Sequence, residues 1–413
     1  MSDRSEINHE NTLNQLRLVM PPQIAPAEIT RTEVTRVLIL TSSSGNGHNS
    51  AAQAIATWLE ILAPGQFVVK IERLLENSSK FYQGGVEFYN LIQRRAPWFH
   101  HIYYNILELQ EVLFGSTVSV GRDYCVQLFN DFHPQIVVSV HDFLNKGYFE
   151  LAKEVLGQQL RCITYCLEFQ GGYGFSRNWV NPKADLFWAP TEETAQQAIA
   201  MGMPKERTLV LGNLLPPAFY QPPMEASEKA KYLTKLGLYP NRFTLLLGTG
   251  GAGAENHIPL LNCLVPLQEL VQAIALCGNN STALEKLGDW KVTHPDFQIV
   301  PLPFTDEMYQ LLQVSSAIVT RPGGRTSCEA LQACCPVIFN GLRGIMPQER
   351  LTVNYFKRKN VAQVLTRPQQ IAELLTTWLE QPQIYEQLQT HLRRLPPQPN
   401  PRQIVSPVFN IGE

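Results

Sequence analysis

Residues 37–62 read VLILTSSSGNGHNSAAQAIATWLEIL. The first five, Val37–Thr41, form a short, β-branched apolar run, the pattern of a strand buried on both faces. A Ser/Gly/Asn cluster follows, and Ser50–Leu62 is then rich in Ala and Leu with apolar positions at helical spacing. Strand, glycine loop and helix in that order predict the opening unit of a parallel α/β domain. Comparable runs recur at Phe67–Ile71, Ile136–Val140 and Cys162–Leu167, and more weakly at Leu186–Ala189 and Thr208–Leu211. Helical patterns lie between several of them, so the sheet is predicted to be covered by helices on both faces.

The alternation stops in the proline-rich Leu214–Met224 (LLPPAFYQPPM), which reads as a linker, and then restarts. Phe243–Leu247 is followed by GTGGAGAEN and Ala273–Cys277 by GNNS; Gln298–Val300, Ala317–Thr320 and Pro336–Asn340 complete the second set. The expected architecture is α/β, with two Rossmann-like domains over 36–215 and 216–385 facing each other across a cleft. Ligands bind beyond the carboxyl ends of strands in such sheets, which puts the site between the domains. Residues 1–35 are expected to be a flexible lead-in, and the proline-rich tail, 386–413, to wrap the surface or be mobile.

Composition narrows the class. The chain has 413 residues, 44% hydrophobic and 17% charged, which excludes wholesale disorder. A formal charge of −2 gives no global drive toward nucleic acid or anionic lipid. No apolar stretch approaches the roughly 18–20 residues of a membrane-spanning helix, and the N-terminus has no secretory h-region, so a cytoplasmic protein is expected. The eight cysteines include no C-x-x-C pair and are expected to be buried, reduced thiols.

Three segments carry chemistry. In Thr41–His48 (TSSSGNGH) small residues allow close backbone approach to a ligand at a helix start. Neither a Walker A loop nor a G-x-G-x-x-G fingerprint is present. His48 sits where strand feeds helix, and reads either as a base for an acceptor hydroxyl or as a helix cap. Leu246–Gly253 (LLGTGGAG) is either an anion-binding loop or a tight turn. The third comprises PFTDEMY (303–309), AIVTRPGGRTSCEAL (317–331) and PQERLTVN (347–354). Here glycines and a hydroxyl at a helix start suit phosphate, and Glu329 one turn in suits a pair of ribose hydroxyls, or is an ordinary first-turn acid.

With these motifs the chain resembles the inverting glycosyltransferases of family 28, of GT-B fold, on the branch of monogalactosyldiacylglycerol synthases and bacterial diacylglycerol glucosyltransferases. The resemblance spans about Val37 to Leu365. It implies transfer of a hexose from a UDP-sugar to a lipid hydroxyl at a membrane surface. His48 would be the base, or would position it. Gly250 and Gly251 would lie against the donor, and the backbone at Phe304 and Thr305 would hold uracil. Gly323, Gly324 and Thr326 would approach the diphosphate, Glu329 the ribose, and Gln348 and Glu349 the sugar hydroxyls. No obligatory metal or other cofactor is implied; the UDP-sugar is a substrate.

The sequence departs from the family pattern at three places. Where the family's G-x-P-V-R supplies a phosphate-binding arginine, the text is GNLLP (212–216), and Pro216 takes the arginine's place. Arg321 or Arg325 is a candidate replacement. The asparagine after Q-E comes late, at Asn354, and the acid after an N-domain strand is represented by Glu168.

Nine aromatics lie between Phe81 and Phe114, interleaved with Arg94, Arg95, His100 and His101. Trp98, Phe99, Tyr103 and Tyr104 with the two arginines suit rings at headgroup depth and cations on lipid phosphate; the other reading is a pair of aromatic-rich core helices. A peripheral membrane association follows from the first reading, and nucleic acid is not an expected partner. Two alternatives stay open: a non-catalytic UDP-sugar-binding or partner protein of the same fold, and a transferase with a soluble acceptor.

Overall fold

A computed structural model of the chain describes residues 34–44, 47–95, 97–102, 104–106, 108, 120–248 and 257–409. Each half builds one parallel sheet of six strands. The first contains β1 (Thr35–Thr41), β2 (Phe67–Arg73), β3 (Ile136–Ser139), β4 (Arg161–Tyr165), β5 (Leu186–Ala189) and β6 (Thr208–Val210). Their order is β2-β1-β3-β4-β5-β6. The second contains β7 (Phe243–Leu247), β8 (Val271–Gly278), β9 (Ile299–Pro303), β10 (Ala317–Thr320), β11 (Val337–Asn340) and β12 (Ala362–Leu365), in the order β12-β11-β10-β7-β8-β9. The strand order reverses between β1 and β3 in one sheet and between β7 and β10 in the other. Those switch points open the crevices in which open parallel sheets bind ligands.

The apolar runs became central strands for the reason their composition suggests. Val37–Leu40 and all of Ile136–Val138 are inaccessible to solvent, and β1 pairs β3 from Val37↔Ile136 to Leu40↔Ser139. The Gly47–Leu62 helix covers one face with Ala51, Ala52, Ala54, Ile55, Trp58 and Leu59, its alanines allowing a close approach to the strands. β12 was missed in the sequence because its short run, AQVL, is interrupted by the exposed, polar Gln363.

The tail corrects the sequence reading. Instead of wrapping the surface or being mobile, it forms helices Pro382–Arg394 and Pro401–Phe409, and the second returns to the first domain. Ile404, Val405 and Val408 are fully buried in the first sheet's core, and Phe409 meets Phe67 edge-on at 5.4 Å. Pro401 occupies the first helical turn, where proline is favoured, so prolines that read as breakers here start a helix. Gln398 ties the crossing, accepting from Asn213 N at 2.8 Å.

The cysteines are all free, and six are buried; Cys263 is half-buried, and Cys334 departs from expectation by lying exposed in a left-handed turn (φ 52°). No helix among the described residues is long and apolar enough to cross a membrane.

Candidate active site

The loop after β1 is pinned before it reaches His48. Glu76 accepts from Ser43 N, Asn49 donates to Ser43 Oγ at 3.1 Å, and Asn90 donates to the Ser43 carbonyl at 2.9 Å. His48, the second residue of the helix, places Nδ1 2.6 Å from the carbonyl oxygen of Val140, at the end of β3. A carbonyl only accepts, so Nδ1 carries the ring proton and Nε2 keeps its lone pair. Burial lowers the His48 pKa from its ordinary value and neighbouring His141 lowers it further; Asp142 and the Val140 carbonyl oppose them. The ring is therefore neutral at pH 7, with a carboxylate nearby that favours the imidazolium once a proton arrives.

His141 and Asp142 follow β3 as His48 follows β1. The two histidine rings lie 4.4 Å apart. His141 Nδ1 accepts from Phe143 N at 3.2 Å, and Nε2 stands 2.6 Å from Ser44 Oγ. Burial brings the His141 pKa down to about 3, and burial raises that of Asp142 against the pull of His48. Glu168, three residues past β4, joins the same pocket; burial and then the Asp142 charge push it up to about 8, while a hydrogen bond with Trp179 works the other way. Trp179 also lies 6.2 Å from His48, ring to ring. Ser44, His141, Asp142 and Trp179 were not singled out in the sequence. A polar pair directly after a buried strand was the available signal for His141 and Asp142, the same signal that marked His48.

Across the cleft, β10 feeds the Gly324–Gln332 helix. A Cβ at Gly324 would stand 3.1 Å from the Leu167 carbonyl, so the absent side chain is what lets the two domains meet there. Gly323 is the N-cap of that helix and Thr326 lies in its first turn. Glu329 is buried in the second turn and accepts from Arg325 Nε at 2.7 Å. Burial raises its pKa and Arg325 counters that. Arg321 and Glu349, both read as donor contacts, pair with each other: Nε to Oε1 at 3.0 Å, with Arg321 also donating to the Gly344 carbonyl at 2.9 Å. Glu349 further accepts from Met346 N at 2.9 Å, capping the Pro347–Arg358 helix. Gln348 donates to the Tyr89 hydroxyl at 2.9 Å, tying the second domain to the first. Phe304 and Thr305 lie at the carboxyl end of edge strand β9, Phe304 with its side chain half exposed. Asn354 is exposed on the following helix.

Gly250, Gly251 and Tyr103 lie outside the described residues, as do the side chains of Arg94 and Arg95. The rest of the aromatic segment divides between both readings. Phe81, Phe88 and Trp98 are exposed, with Ile102 and Ile106 beside them in sequence. Tyr82, Tyr89, Phe99 and Tyr104 are at least partly covered. Tyr89 packs edge-on to His100 at 4.6 Å, and burial leads the causes that push its hydroxyl pKa up.

Gly47, Ala51, Tyr165, Leu167 and Asn213 from one domain and Gly324, Arg325 and Cys328 from the other line a small, partly open pocket where the domains meet. Ring contacts of Phe169 with Tyr355 (5.2 Å) and Phe356 (5.5 Å) close the domains together at its side.

Against this geometry, comparison with known proteins is specific. Residues 48–214 match the monogalactosyldiacylglycerol (MGDG) synthase family. A processive diacylglycerol beta-glucosyltransferase of Bacillus pumilus is 24% identical over 375 residues, covering 87% of this chain and 91% of the relative. The chloroplastic monogalactosyldiacylglycerol synthase of Spinacia oleracea is 24% identical over 363 residues, covering 83% of this chain and 66% of the synthase. The resemblance to family 28 stands. Solved structures agree on the GT-B fold: Acinetobacter baumannii MurG superposes with a TM-score of 0.57 at 15% identity, covering 91% of this chain and 99% of that one. The Staphylococcus aureus MnaA–UDP co-structure gives 0.59 at 16% identity, covering 92% and 96%.

Proposed function

We propose that this chain is an inverting glycosyltransferase that moves a hexose from a UDP-sugar to the hydroxyl of a diacylglycerol-like lipid. The observation that carries the reading is His48, held by the Val140 carbonyl with Nε2 unprotonated and next in the chain to Gly47, which shares an interdomain pocket with Gly324 and Arg325. His48 draws the proton from the attacking oxygen as that oxygen displaces UDP from the anomeric carbon. Asp142 favours the resulting imidazolium. Backbone N–H groups at the start of the Gly324–Gln332 helix stabilise charge on the departing diphosphate, so this route calls for no metal. Phe304 and Thr305 take the uracil, Glu329 the ribose, and Gln348 and Glu349 the sugar. Gly250 and Gly251 complete the donor loop.

The acceptor arrives from a membrane surface. Phe81, Phe88 and Trp98 present apolar area to solvent near Arg94 and Arg95 in sequence, the pairing that suits the headgroup layer. The protein in this reading works in the cytoplasm as a peripheral membrane enzyme. Diacylglycerol is the acceptor named for the Bacillus pumilus relative, which supports the same class here.

A panel of radiolabelled UDP-sugars against diacylglycerol, glycosylated diacylglycerol and soluble glycosides, read by chromatography, tests the proposal. A labelled glycolipid is the expected product. Label found only in a soluble glycoside would replace the lipid acceptor, and UDP binding without transfer to any acceptor would favour a non-catalytic binding protein.

A further inference from the structure

Arg325 is the second residue of the Gly324–Gln332 helix, and its side chain reaches across the cleft. Nε donates to Glu329 Oε1 at 2.7 Å and Nη1 to the Leu214 carbonyl at 2.9 Å. Nη2 is buried and has no hydrogen-bond partner among the described residues. A guanidinium offers five N–H donors in a fixed plane, and leaving the Nη2 pair unmet in a buried position is costly without an anion to take them. Arg325 lines the interdomain pocket together with Gly47, Leu167, Asn213 and Gly324. Leu214 is two residues before Pro216, the position at which the family resemblance implies a phosphate-binding arginine. The 212–216 segment has no cation of its own, and Arg325 delivers one to it from the opposite domain.

We propose that Arg325 is the phosphate-binding cation of this chain, with Nη2 hydrogen-bonded to the diphosphate of the nucleotide donor and Nη1 holding the first domain through Leu214. Glu329 holds the guanidinium in plane through Nε, so the i,i+4 pair aims the free edge into the cleft. The diphosphate is thereby bound by a residue that also joins the domains. This rests on the UDP-sugar reading above and names the residue that makes it work without an arginine at 216.

The test is calorimetric titration of the full chain with UDP and, separately, with uridine. For the wild type, UDP is expected to bind more tightly than uridine. Arg325→Gln should weaken UDP about 10–100-fold, the range for a lost charged hydrogen bond, and leave uridine within about 3-fold. Arg325→Lys should keep part of the UDP preference, and Arg325→Leu with Pro216→Arg should recover UDP affinity relative to Arg325→Leu alone. Equal weakening of UDP and uridine, or UDP affinity unchanged in Arg325→Gln, overturns the inference and leaves Arg325 a tie between domains. A wild type that binds neither UDP nor uridine overturns the proposed function, and this inference with it.

Discussion

At the scale of single residues, the site depends on how burial sets protonation. His48 is kept neutral by burial and by His141, so it is ready to accept a proton at pH 7. Replacing it by alanine should leave UDP affinity within about 3-fold and reduce transfer at least about 100-fold, the scale of a lost general base; titration and product assay separate the two effects. Asp142→Asn removes the charge that favours the imidazolium, which lowers the His48 pKa further. Transfer should fall about 10-fold or more, and the acid limb of the pH–rate profile should move to lower pH. An acid limb that stays in place or moves upward would remove Asp142 from this role. Glu168 works in the opposite direction on stability. Its folded pKa, about 8, is above the unfolded value, so the native state keeps a proton that the unfolded chain loses as pH rises. The stability this contributes is complete below about pH 4.5 and is lost as pH rises toward 8, each unit being worth about 1.4 kcal/mol. Glu168→Gln should therefore be more stable than wild type by a margin that widens from pH 5 to pH 8 in urea titrations. A margin independent of pH would refute it.

At the scale of elements, two segments do work that their composition concealed. The tail helix Pro401–Phe409 is part of the first domain's core, and Ile404 is fully buried there. Ile404→Ala should cost about 2–4 kcal/mol, read as a lower urea midpoint, whereas a mobile tail would give no change. Helix Lys80–Arg95 and the turn at Pro97–Phe99 have an inner and an outer side. Tyr89 reaches Gln348, His101 Nε2 lies 3.0 Å from the Ile345 carbonyl, and Phe81 and Trp98 face solvent. Substituting both exposed rings with alanine should abolish co-sedimentation with diacylglycerol-containing anionic vesicles while leaving UDP affinity unchanged. Undiminished sedimentation would remove Phe81 and Trp98 from the membrane contact. Gly174 belongs to the same junction: its φ is +106°, and a Cβ there would fall 2.0 Å from the Pro347 carbonyl oxygen, so glycine alone lets this loop touch the Pro347–Arg358 helix.

At the scale of the molecule, most of the fold was legible because it is written in continuous apolar runs. Leu186–Ala189, Phe243–Leu247 and Ala317–Thr320 became strands with the same limits. The twelfth strand was not legible, its short apolar run being interrupted by Gln363, and the tail was misread because proline both stops and starts helices. The site was half legible. His48 and the Gly323–Glu329 run announce themselves by following strands with glycine and a reactive side chain. The partners of those residues come from elsewhere in the chain: Val140 and Asp142 for His48, Leu214 for Arg325, Tyr89 for Gln348. The contact across 92 residues depends on strand order within one sheet, and those across 111 and 259 on how the two sheets face each other, none of which a local pattern specifies.

The central claim is that a uridine diphospho-hexose lies between the two sheets. A crystal structure of the full chain with UDP tests it most directly. The account predicts uracil at Phe304–Thr305, the ribose on Glu329, and the diphosphate between the Gly323–Gly324 loop and Arg325. Nucleotide density outside this cleft, or a Glu329 turned away from the ribose, would contradict it.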